Sequence, residues 1–361
     1  MRHILAVLLA VSIAGAVCLA QRTSATERSR AGWDALNAGR LQEAATAFDD
    51  ALTRAPQQTS LLLGAAVVAH LQAREDDARR LLVNALRIDP ALNAASLLLG
   101  SVLYQAGDVD GAIGIYEQAL VHAPDHPQLV KRLDAWRREA TLHSSFARKL
   151  GNHFTVLFEG PSEAGLAERA VAILEAAYWR IGTALYTYPA DVITVVLYTR
   201  EQFRDITQSP EWAGGAFDGR IRVPVQGALQ NEGELARVLS HEFTHALVWS
   251  LAPRGVPLWL NEGIAVQFEG SDLARRREQV RSAPAPLPLT RLERSFESLS
   301  ATEAGLAYAE SAVAVHALIE HAGTPALTSL LGDIGRGMPF VEAFERNMLM
   351  SYSEFQEKLQ E

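Results

Sequence analysis

Residues 232–268 read EGELARVLSHEFTHALVWSLAPRGVPLWLNEGIAVQF, and the second half of this 361-residue chain is organised around them. Leu235, Val238, Leu239, Phe243, Leu247 and Val248 recur at helical spacing, so Glu232 to Leu251 reads as one largely buried helix ending before Pro253. Within it stands His241-Glu242-Phe243-Thr244-His245. At about 100° per residue the two histidines fall about 40° apart on one face, one turn above the other. That spacing lets two imidazole nitrogens reach a single Zn²⁺ at about 2.0–2.1 Å. Glu242, beside the first histidine, points past the metal to where a bound water would sit. Burying two histidines and a glutamate without partners is costly, and a metal accounts for all three.

A zinc site that keeps one position for water needs a third protein ligand. Pro253, Gly255 and Pro257 break the chain after the first helix, and Trp259-Leu260-Asn261-Glu262-Gly263-Ile264-Ala265 opens a second apolar one. An antiparallel return would bring Glu262 to face the histidine pair. Around these helices the pattern is mixed α/β. His153–Phe158 and Asp191–Tyr198 have strand character, Ala164–Leu185 is an amphipathic helix, and Ala216–Val225 is a further strand candidate interrupted at Asp218-Gly219. Ala274 to Arg277 reads as a basic turn and Ala283 to Pro288 as a proline-rich loop.

The first half repeats itself. In rows of 34 residues, Pro56, Pro90 and Pro124 coincide, as do Ala44, Ala78 and Ala112, then Phe48, Leu82 and Tyr116, then Ala51, Ala85 and Ala119, with Gly39, Ala73 and Gly107 in a turn column. Alanines let paired helices approach, the bulky residue fills the gap between them, and proline ends the second helix. This pattern resembles the tetratricopeptide repeat: three repeats plus a capping helix, residues 26–143, forming an α-solenoid. The resemblance implies a groove for a peptide or protein partner, although a spacer role is also open.

The second half resembles the gluzincin metallopeptidases, and in particular the peptidase MA-like domains often joined to such repeats. Phe217–Val225, HEFTH at 241–245, WLNEGIA at 259–265 and AYAES at 307–311 carry the resemblance. It implies a mixed α+β catalytic domain over about 150–361. It also implies one Zn²⁺ per chain held by His241, His245 and Glu262, with Glu242 as catalytic base. Tyr308 is the candidate donor to the oxyanion, because gluzincin aminopeptidases place a tyrosine downstream of the glutamate ligand. Thermolysin-type sites carry an acidic residue four positions after that glutamate to orient a zinc histidine. Val266 stands there in this chain, so the orienting partner must come from elsewhere. The aminopeptidase carboxylate that holds a free amino terminus is replaced by Gly219-Arg220-Ile221-Arg222-Val223-Pro224. An edge strand at that point would pair with an extended peptide, which favours endopeptidase action.

At the start of the chain, Met1-Arg2-His3 precedes the apolar run Ile4–Ala20, followed by a polar stretch. This is the layout of a secretory signal over residues 1–25, or of an uncleaved anchor giving membrane association. The expectation is an exported protein, periplasmic or anchored facing the periplasm or the extracellular side. The single cysteine, Cys18, falls within this run and permits no intramolecular disulfide. Net charge is −9, and residues 144–361 hold 27 acidic against 19 basic groups, which argues against a nucleic-acid partner. The expected activity is hydrolysis of peptide bonds in a peptide or protein substrate, in the cell envelope. The competing reading is a non-enzymatic repeat adaptor or envelope assembly factor that retains the zinc fold.

Overall fold

The computed structural model describes residues 27–207, 215–225, 232–283, 285, 287–296 and 299–360. The apolar run Ile4–Ala20 therefore lies outside the described residues. The chain divides into two compact units, Met1–Arg137 and Arg138–Glu361.

Three helix pairs build the first unit: α1 (27–37) with α2 (Leu41–Leu52), α3 (Thr59–Leu71) with α4 (Glu75–Ile88), and α5 (Asn93–Gln105) with α6 (Val109–His122). The residues in register are its core. Ala44, Ala78 and Ala112, the bulky trio Phe48, Leu82 and Tyr116, and Ala51, Ala85 and Ala119 are all buried. Side-chain volume is matched across each pair. A Cβ at Gly32 would lie 2.9 Å from the Phe48 ring, and one at Gly100 2.2 Å from that of Tyr116. The middle repeat places Ala66 at this column and the smaller Leu82 at the bulky position. The turn column is left-handed throughout, with φ of +74° at Gly39, +57° at Ala73 and +88° at Gly107. Helix α7 (Pro127–Ser144) follows, and Trp136 on it stacks on Tyr104 at 4.8 Å and meets Tyr116 at a tilt at 4.6 Å between ring centroids.

The second unit is built on a five-stranded sheet of order β1-β2-β3-β5-β4: β1 (Ala147–Leu150), β2 (Phe154–Phe158), β3 (Ile193–Tyr198), β4 (Ala216–Phe217) and β5 (Ile221–Pro224). The inner three strands are parallel and the two outer ones antiparallel to their neighbours. Phe154, Val156, Val195, Leu197, Ile221 and Val223 face a core shared with α8 (Ala164–Leu185), α10 (Glu232–Leu251), α11 (Leu258–Phe268) and α13 (Ala301–Gly335). Strand β1 has no apolar alternation; its residues ARKL are mostly exposed, so only pairing with β2 defines it.

The structure corrects the expectation of an edge strand at Gly219–Pro224. Strand β5 is interior, hydrogen-bonded on both sides, and β4 forms the edge. The charged alternation Arg220-Ile221-Arg222-Val223 suggests exposure, but both arginines are buried. Arg222 donates to Glu139 at 2.8 Å, to the Tyr198 hydroxyl at 2.8 Å and to Asp218 at 3.1 Å, and Arg220 donates to Glu139 at 3.0 Å. Buried charges are tolerated when paired in this way.

The basic turn expected at Ala274 to Arg277 is instead part of a helix, α12 (Leu273–Arg281), capped by the Asp272 carboxylate accepting from the amides of Ala274 and Arg275. Helix α13 starts with a capping box, in which Ser300 and Glu303 satisfy each other's backbone amides. Two helices run together in α13 across Gly323, where φ is +79°. Helix α9 (Arg200–Thr207) and helices α14 (Phe340–Met348) and α15 (Tyr352–Gln360) complete the unit. Among the described residues no helix is long and apolar enough to cross a membrane.

Candidate metal centre and active site

Helix α10 carries His241, Glu242 and His245, and α11 carries Asn261 and Glu262. Phe243, on the opposite face of α10, is buried edge-on against Phe154 of β2 at 5.3 Å, which fixes the rotation of the helix and turns both histidines toward α11. Helix α11 lies close to α13 because residue 263 has no side chain. A Cβ there would come 2.3 Å from the Ser311 carbonyl oxygen and 2.5 Å from the Val315 side chain. The three residues of the Asn-Glu-Gly triplet thus serve different ends, since Asn261 orients a histidine, Glu262 offers a ligand oxygen and Gly263 permits the helix crossing.

One ligand atom from each of His241, His245 and Glu262 falls within a mutual distance of 4.8 Å. Glu262 Oε2 stands 3.3 Å from His241 Nε2 and 3.5 Å from His245 Nε2. The opposite edges of both rings are held. His241 Nδ1 donates to Glu269 Oε2 at 2.8 Å, and His245 Nδ1 donates to Asn261 Oδ1 at 3.0 Å. With its Nδ1 proton held, each ring can give up the Nε2 proton that Glu262 attracts and offer that lone pair to a metal.

Glu269 is the orienting partner that no sequence motif marks. It lies one turn beyond Val266, at the C-terminal cap of α11, so the orienting carboxylate has moved along the helix rather than disappeared. Its side chain is 1% exposed and also accepts from Arg237 at 2.9 Å and from Arg276 of α12 at 3.4 Å. Arg180 of α8 ties the same region together, donating to Ser240 Oγ and to the Phe268 carbonyl, each at 3.0 Å. The sequence signal is present in Phe268-Glu269-Gly270, a carboxylate at a helix end, but it stands seven residues after Glu262 and not the four of the thermolysin-type pattern.

The electrostatics favour a cation at this point. Burial opposes charge on His241, but contacts with Glu262 and Glu269 and the nearby Glu242 carboxylate push it up to about 10. His245 is also raised, its burial outweighed chiefly by Glu262. Burial works to raise the Glu262 carboxyl, yet the two imidazoles hold it well below the usual carboxylate range. Glu242 is raised by burial, against the opposing pull of His245 and His241. Oε2 of Glu242 and Oε2 of Glu262 are both buried without a hydrogen-bond partner. Two nitrogens and one oxygen with their lone pairs converging, and buried oxygens left unsatisfied, fit a four-coordinate divalent metal with one position open.

A cleft of about 350 Å³ opens over these groups. Tyr308 of α13 lines it, 6.2 Å from the His241 ring between centroids and edge-on to Phe296. Burial and the carboxylates of Glu262, Glu242 and Glu269 raise its hydroxyl far above the ordinary range, so it remains a neutral O–H at any usual pH. Gly215, immediately before β4, crosses directly over the catalytic candidate: a Cβ there would stand 2.4 Å from Glu242 Oε1. His316 pairs with Glu320 at 3.2 Å and His321 donates to the Met348 carbonyl at 3.0 Å, so both have structural roles outside the cleft.

Fold and site together define the class: a row of paired helices followed by a mixed sheet whose helices carry a two-histidine, one-glutamate centre. Residues 180–356 match the family model of the Peptidase MA superfamily, and residues 29–93 and 76–127 match that of the tetratricopeptide repeat. Residues 29–127 thus carry tetratricopeptide repeats, and residues 180–356 a Peptidase MA superfamily domain. No curated protein matches it.

Proposed function

We propose that this protein is a zinc-dependent metallopeptidase that cleaves peptide bonds within protein substrates in the cell envelope, with the repeats serving to bind a protein. The observation that carries the reading is the convergence of His241, His245 and Glu262 beside the buried Glu242, whose Oε2 has no hydrogen-bond partner. A zinc ion bound by those three residues would lower the pKa of its water from 15.7 to about 7 and polarise the scissile carbonyl. Glu242 accepts the proton of the attacking water and passes it to the departing amine; its burial and raised proton affinity suit both steps. The neutral Tyr308 hydroxyl donates to the developing oxyanion. Glu269 and Asn261 hold the imidazoles so that neither turns away. The edge strand β4, beside Glu242, offers main-chain groups to an extended substrate, which supports endopeptidase action.

Export rests on the basic start and the apolar run Ile4–Ala20. The non-enzymatic adaptor is disfavoured because Glu242, which would serve no purpose there, is present and pre-positioned. The test measures bound zinc and cleavage of denatured proteins by the full chain and by Glu242→Gln. Zinc at one per chain in both, with cleavage lost only in the variant, is the expected result. A folded chain that binds no zinc would refute the site, and cleavage surviving in Glu242→Gln would refute the mechanism.

A further inference from the structure

The helix face that presents His241 and His245 does not end at the second histidine. Val248, Trp249 and Ala252 continue the same stripe at seven, eight and eleven residues from His241, and all three line the cleft. The face thus changes from ligand-bearing to apolar within one turn. Val256 and Leu258, in and just after the loop that joins α10 to α11, carry the apolar lining further. Across from them β4 contributes Phe217, whose ring meets that of Trp249 edge-on at 6.0 Å between centroids. Val248 and Ala252 are buried, whereas Phe217 and Trp249 are half-buried and keep an open side toward the cleft.

Nothing in the proposed chemistry uses these side chains. A cleft that leaves a paired Trp and Phe beside apolar side chains, adjoining a buried reactive centre, has a receptacle for an apolar group. We propose that this pocket is the specificity subsite of the enzyme, with Trp249 as its determining residue. It takes a large apolar side chain, aromatic or branched aliphatic, on the residue flanking the scissile bond. The inference rests on the peptidase reading and names its substrate class: polypeptide segments that expose residues normally buried in a fold, as unfolded chains do. A hydroxylated side chain would lose its hydration against these rings without gaining a partner, and a cationic one would also meet the positive charge of Arg254, which lines the same cleft.

The test uses the full, zinc-loaded chain and a mixed-sequence peptide library, with cleavage positions read from the product termini by mass spectrometry. Cleavage next to Phe, Leu, Ile or Trp is expected at least about tenfold over Ala, Gly or Lys, from the area such a side chain buries. In Trp249→Ala the ratio of kcat/KM between a Phe peptide and its Ala counterpart falls about tenfold, and Trp249→Phe restores most of it. A wild type without apolar preference, or a ratio unchanged in Trp249→Ala, overturns the proposal. Failure of the peptidase reading shows separately, as a zinc-loaded wild type that cleaves no peptide. Binding of fluorescein-labelled Phe and Ala peptides to the Glu242→Gln chain, followed by anisotropy, then decides the subsite alone: tighter binding of the Phe peptide supports it and equal binding overturns it.

Discussion

Replacing Glu269 by Gln tests whether the displaced carboxylate orients the proposed metal centre. The substitution preserves volume at a site that is 1% exposed, and removes the charge that faces His241 Nδ1, Arg237 and Arg276. In the wild type both oxygens act only as acceptors. Arg237 and His241 share one carboxylate oxygen, so an amide oxygen in that place still meets both but without the charge, and the NH₂ group on the other side faces Arg276, from which it cannot accept. A neutral oxygen holds the Nδ1 proton less firmly than a carboxylate does and makes the ring less basic toward a metal at Nε2. Losing such a partner weakens metal affinity by about 10- to 100-fold, or about 1.4–2.7 kcal/mol. The fold survives, because Arg237 keeps its pairing with Glu234 at 2.6 Å. The assay is a competition titration of zinc against a chromophoric chelator at pH 7, with circular dichroism as the check on folding. Glu269→Asp, which keeps the charge with a shorter reach, falls between wild type and Gln. Zinc affinity within twofold of wild type in a folded Glu269→Gln chain would refute the reasoning.

Three further perturbations follow from individual positions. Gly215→Ala puts a methyl group 2.4 Å from Glu242 Oε1, so kcat falls by at least about tenfold while bound zinc stays at one per chain; unchanged kcat would show that β4 yields freely. Ala73→Gly relieves the left-handed residue of the second repeat, φ +57°, and raises stability by about 1 kcal/mol against urea, whereas a loss would mean that backbone entropy dominates. Glu310 is buried on α13, accepts from the Leu287 amide at 2.6 Å, and burial pushes its carboxyl up to about 7 from 4.5. Between those two values the folded state binds the proton more tightly, so this group makes stability fall as pH rises, by at most about 3 kcal/mol. Glu310→Gln should flatten that slope and stabilise the chain at pH 8, as followed by denaturation across pH, and a slope unchanged in the variant would rule Glu310 out as its source.

The repeats are legible in sequence because their physics is local and periodic. Alanine, bulky residue, alanine and proline each act on neighbouring turns of helix, so a 34-residue register displays them directly. Their refinement is less visible. That Gly32 and Gly100 accompany the aromatic Phe48 and Tyr116, while Ala66 accompanies Leu82, becomes clear only once the helices are packed. In the second unit the long elements are equally plain, and Ala164–Leu185 and Glu232–Leu251 are delimited by their apolar stripes and breakers. Strand β1 is not, since a stretch dominated by exposed polar residues carries no periodic signal. The order of β4 and β5 is hidden because buried arginines imitate a solvent-facing edge until their acceptor, Glu139 from distant sequence, is in place.

The same division runs through the site. His241, Glu242 and His245 are readable because helical pitch alone sets their geometry, and Glu262 because a short break between two helices leaves few ways to return. Those features the sequence determined by itself. The tertiary structure decided which groups hold the histidines, what passes over Glu242, and where the cleft leads. Glu269, Gly215 and Phe217 acquire their roles from elements that meet only in the folded chain, and no fixed spacing in sequence corresponds to a contact across space.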